Sequence, residues 1–107
     1  MQMIAPAPTL TGVESCLNRL RGDILSLGVR RLALFGSVAR NEARHDSDID
    51  LLVEFEPGQK TFDRFMALAD LLEEALGHAV ELVTPESLSP YLKPHILSAA
   101  RDVIRAP

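Results

Sequence analysis

The chain has 107 residues, 47% hydrophobic and 24% charged, with a formal charge of −4 and a single cysteine. That is the size of one domain, too apolar to be disordered and without the ~20-residue apolar run that crosses a membrane. Cys16 has no partner for an internal disulfide, which fits a reducing cytoplasm, and the acidic balance argues against direct nucleic-acid binding, which demands excess Lys and Arg.

Residues 1–10 contain two prolines and no positive charge, so they lack the basic start and long apolar run of a secretory signal. They read as a flexible tail before a domain spanning 11–107. Thr11 followed by Glu14 matches a capping box and predicts a helix start. Val13, Leu17, Leu20, Ile24 and Leu27 then form one apolar stripe, and Gly28 is placed to end that helix. Val29–Phe35 is rich in branched and aromatic residues and predicts a strand. Gly36 breaks it, and Ser37 opens a short helix to about Asn41.

The second predicted strand is Asp48–Phe55. Its two-residue period puts Ile49, Leu51, Val53 and Phe55 on one face and Asp48, Asp50, Leu52 and Glu54 on the other. Pro57-Gly58 is a turn signal. Thr61 caps a long helix to Leu76, with Phe62, Phe65, Ala69, Leu72 and Leu76 inward and Gly77 at its end. Ala79–Val83 predicts a third strand, Tyr91–Ala100 a last helix and Arg101–Ile104 a final short strand. This alternation predicts an α+β fold, a small mixed sheet covered by helices.

Charge is unevenly distributed along this order. Residues 1–45 carry net +3 and residues 46–107 net −7, with the acidic block opening at Asp46. Asp48 and Asp50 point the same way from a strand, about 7 Å apart. Like charges at that spacing, on a residue type that strands disfavour, are tolerated most easily with a cation between them. Mg²⁺ suits carboxylate and phosphate oxygens, and a pair of such ions can clamp both oxygens of an in-line displacement. Gly36 permits close backbone approach to a phosphate, and the Ser37 hydroxyl at a helix start favours anions. Arg40 suits phosphate oxygens. A phosphate cradle beside an Asp-x-Asp strand is a specific combination, although either half alone is weak. Glu81, inside the apolar Ala79–Val83 segment, is either on an exposed face or aimed at a cation.

The segment GSVARNEARHDSDIDLLV, with ten residues between Ser37 and Asp48, resembles the minimal nucleotidyltransferase (MNT) family of the polymerase-beta-like superfamily. The likeness extends through the helix around LSPYLKPHIL. It implies the nucleotidyltransferase fold and transfer of a nucleoside monophosphate from a triphosphate to an acceptor hydroxyl. Gly36, Ser37 and Arg40 would bind the nucleotide, and Asp48, Asp50 and Glu81 would hold two Mg²⁺ and carry catalysis. Glu81 stands where relatives often have Asp, and Asn41 where Gly is common. Members of the family pair with helical HEPN toxins and act as antitoxins by moving AMP from ATP onto a toxin tyrosine. That is the function the resemblance implies here. A non-catalytic antitoxin that masks its toxin, and transfer to a small molecule held by a separate subunit, are the alternatives.

Overall fold

The computed structural model describes residues 6–107; the part of the expected tail before Pro6 lies outside the described residues. Helix α1 (Leu10–Arg19) is capped by Thr9, whose Oγ1 accepts a hydrogen bond from the Gly12 amide at 3.0 Å. The cap is thus Thr9 rather than Thr11, because starting two residues earlier brings Leu10 into the first turn and against the core. The expected single helix is also divided. The Leu20 amide is shared between the carbonyls of Cys16 and Leu17, a tightened last turn, and α2 (Arg21–Ser26) follows as a separate helix. Both helices keep the predicted stripe, with Val13, Leu17 and Ile24 buried.

Strand β1 (Val29–Phe35) has the predicted bounds and leads directly into α3 (Gly36–Ala39). Strand β2 (Ile49–Phe55) begins one residue after Asp48, which lies in the exposed approach to the strand. Helix α4 (Phe62–Leu76) follows prediction at both ends. Thr61 Oγ1 accepts from the Arg64 amide, and Gly77 takes the left-handed conformation that closes the helix. Its buried face differs from expectation. Leu68 and Leu72 are fully buried, whereas Phe62 is 77% exposed. The inward stripe runs Phe65, Leu68, Leu72, Leu76, and Phe62 extends one step beyond the apolar layer. Strand β3 (Val80–Val83) and a 3₁₀ turn (Pro85–Ser87) come next. Helix α5 is Lys93–Ala99, with Tyr91 left in the turn before it, and β4 (Arg101–Arg105) closes the chain.

Among the described residues, four strands form one mixed sheet in the order β3-β2-β1-β4. β1 pairs antiparallel with both β2 and β4, while β2 and β3 are parallel. A parallel pair needs a crossover, and α4 supplies it. Helices α1 and α4 pack together over one face, enclosing Leu17, Leu32, Leu34, Ile49, Leu51 and Ile104. The opposite face is less polar than the alternation implies: Leu52 is buried, with the 3₁₀ turn packed on β2. At one end of this face Arg31 bridges Glu54 at 2.7 Å and Asp102 at 2.5 Å, linking β1, β2 and β4. Among the described residues no helix is long and apolar enough to cross a membrane.

Candidate active site

The other end of the same face gathers most of the residues singled out in the sequence. Antiparallel pairing sets Asp50 opposite Phe35, the last residue of β1, so Gly36 follows directly beside it. Parallel pairing sets Asp50 opposite Glu81 on β3. The two carboxyl groups come within hydrogen-bonding reach of one another. Residues 31 apart in the chain thus meet through the β2–α4–β3 crossover.

Asp50 is half-buried and Glu81 exposed. Burial, the bonded Glu81 carboxyl and the negative charges of Glu81 and Asp48 raise the Asp50 carboxyl to about 6, with Arg40 opposing the rise. The Arg40 guanidinium is exposed and donates to Glu42 at 3.3 Å. Ser37 occupies the first turn of α3. With four residues α3 has little dipole, so an anion at this turn would have to be held by backbone N–H groups and the Ser37 hydroxyl. Asn41 has φ 59, in the left-handed region that Asn tolerates and Gly favours, so the backbone there suits either residue.

One supporting residue was not anticipated. Ser47 Oγ accepts from the Arg44 amide at 2.8 Å, and the Ser47 amide returns a bond to the Arg44 carbonyl at 3.0 Å. This closes the loop immediately before Asp48. A serine in a polar run is a signal for such a turn.

The donor set is entirely carboxylate oxygen, the ligand type of hard divalent cations. Among the described residues no three His, Cys, Asp or Glu side chains gather closely enough to hold a metal ion, so Asp48, Asp50 and Glu81 do not form the expected trio in this structure. Asp50 and Glu81 are neighbours across the β2–β3 ladder, while Asp48 lies in the approach to β2. A partial shell of this kind fits Mg²⁺, which takes one or two carboxylates and fills its octahedron with substrate phosphates and water.

A mixed sheet with a Gly-Ser turn at the end of one strand and carboxylates on the next two is the arrangement of a nucleotidyltransferase. The family described as Nucleotidyltransferase domain matches residues 17–103, and the chain belongs to it. MJ0435 of Methanocaldococcus jannaschii, provisionally named a protein adenylyltransferase, is 47% identical over 76% of this chain and 86% of its own length. A solved structure provisionally described as a minimal nucleotidyltransferase is 42% identical and superposes with TM-score 0.67, covering 81% of this chain and 92% of that one. A chain from a toxin–antitoxin crystal structure with AMP-PNP is 25% identical with TM-score 0.69, covering 87% of this chain and 73% of that one.

Proposed function

We propose that this protein is a cytoplasmic protein adenylyltransferase that moves AMP from ATP to a tyrosine hydroxyl of a helical HEPN-type toxin, and so serves as its antitoxin. The observation that carries the reading is the pairing of Asp50 with Glu81 at the sheet end, directly beside the Gly36-Ser37 turn. The adenylyltransferase name of a relative and the AMP-PNP in a structural neighbour support the choice of nucleotide.

The Gly36-Ser37 turn receives the triphosphate, and Arg40 offsets its charge. Asp48, Asp50 and Glu81 are the ligands for Mg²⁺, two ions in the full reading. Bound there, magnesium supplies charge neutralisation for the triphosphate and lowers the proton affinity of the attacking hydroxyl. Glu81 takes the proton from the acceptor hydroxyl, with Asp50 the alternative. The acceptor oxygen forms a bond to the α-phosphorus while the bond to the bridging oxygen breaks, and pyrophosphate leaves.

The test is incubation of the protein, Mg²⁺ and α-labelled ATP with a purified HEPN-type partner. Label moves to the partner's tyrosine, and Asp48→Asn and Asp50→Asn each abolish the transfer. Complete inhibition of the toxin by those same variants, without label, would replace catalysis with masking.

A further inference from the structure

We propose that Gly36 is a positioning residue for Asp50: the place where its side chain would stand is the seat of the Asp50 carboxylate. This rests on the reading of Asp50 as a magnesium ligand. The sequence suggests a different use, in which glycine brings backbone close to phosphate, but the geometry adds a prior demand. A Cβ on Gly36 would overlap Asp50 Oδ2 and stand 3.0 Å from Cγ and 3.2 Å from Cβ. Glu81 flanks the carboxylate across the β2–β3 ladder, so a shift in that direction brings like charges together. Any L-side chain at position 36 therefore displaces the carboxylate or pushes it into its like-charged neighbour.

The other glycines with positive φ sharpen the point. Gly58 and Gly77 have open space where a Cβ would go, and Gly28 meets the side chain of Gln59. Gly36, at φ 73, is the one among them that meets a carboxylate of the site. Backbone conformation accounts for a glycine at all four positions, and carboxylate seating sets Gly36 apart.

Mn²⁺ binding to the full chain, read by the EPR signal of free Mn²⁺, separates the two roles. Gly36→Ala weakens Mn²⁺ affinity about tenfold or more, the range seen when support around a metal ligand is lost. Gly77→Ala, which imposes similar backbone strain in open space, leaves the affinity unchanged. Thermal melts of Gly36→Ala, Asp50→Ala and the double variant give a readout independent of metal. Gly36→Ala lowers the melting temperature markedly less in the Asp50→Ala background, where the obstructing carboxylate is gone. If Gly36→Ala alone does not fold, recovery of a cooperative melt in the double variant supports the seat, and no recovery overturns it. Equal losses in both backgrounds likewise overturn it. A wild-type chain that binds no Mn²⁺ would remove the magnesium reading, while the melts would still decide whether Gly36 seats Asp50.

Discussion

At neutral pH without divalent cation, Asp50→Asn should make the protein more stable than wild type. Burial and neighbouring carboxylates lift the Asp50 carboxyl from 3.8 to about 6, so its ionised form is penalised in the fold. A tenfold change in proton affinity corresponds to about 1.4 kcal/mol, which sets a ceiling of roughly 3 kcal/mol on that penalty. Asp50 is only half-buried, and solvent screening reduces the figure to about 1 kcal/mol. For a domain of this size that is ~4–8 °C in Tm. Asparagine keeps the shape that fits against Gly36 and can donate its amide to the Glu81 carboxylate. The sign follows from linkage: a carboxyl raised in the fold binds a proton more readily there than in the unfolded chain. The advantage of Asp50→Asn is therefore largest above pH 6, shrinks as pH falls between about 6 and 4, and vanishes below. Melts across pH 4–8 in chelator measure it. Added Mg²⁺ raises the wild-type Tm and not that of the variant, reversing the order. An Asp50→Asn protein that melts at or below wild type at pH 7 in chelator would refute the account of a repulsive, cation-seeking cluster.

Three further outcomes follow from features outside that pair. The Arg31 and Arg30 guanidinium groups hold the Glu54 carboxyl below its ordinary range, and Arg105 and Arg31 hold that of Asp102 low against the opposing effect of burial. The stability these pairs add is present above pH ~4.5 and lost as pH falls through the depressed values, so Glu54→Gln should flatten the acid limb of a Tm-against-pH curve and cost about 1 kcal/mol at pH 7. Leu68→Ala should cost ~2–4 kcal/mol in urea unfolding because Leu68 is fully buried, whereas Phe62→Ser should stay within about 0.5 kcal/mol. Asn41→Gly should leave the urea midpoint nearly unchanged, while Asn41→Ala loses ~1 kcal/mol, since only alanine is penalised at φ 59.

The local elements were the readable part of this chain. The branched run from Val29 to Phe35, the Asp-x-Asp strand and the Thr61-to-Gly77 helix declare themselves by periodicity and caps that depend on near neighbours alone. What escaped depends on distant ones. The split at Leu20 arises because two short helices reach different parts of the core. Phe62 satisfies the helical stripe yet finds no layer to cover it, a matter of where the sheet ends. In the site, Gly36, Ser37 and the two aspartates stood out by spacing, but Glu81 was ambiguous between solvent and cation until parallel pairing set it opposite Asp50. The seat that Gly36 provides was invisible for the same reason: nothing within either short segment says that β1 and β2 bring position 36 against position 50.

Strand β3 is four residues long and, among the described residues, is held by a single ladder, to β2. An edge ribbon so short frays at a lower free energy than the central strands. Each fraying event carries Glu81 away from Asp50 while the hydrophobic interior stays intact. The candidate site would therefore come apart and reassemble within a molecule that remains folded, and whatever clamps the outer rim of β3 would hold the assembled form longer.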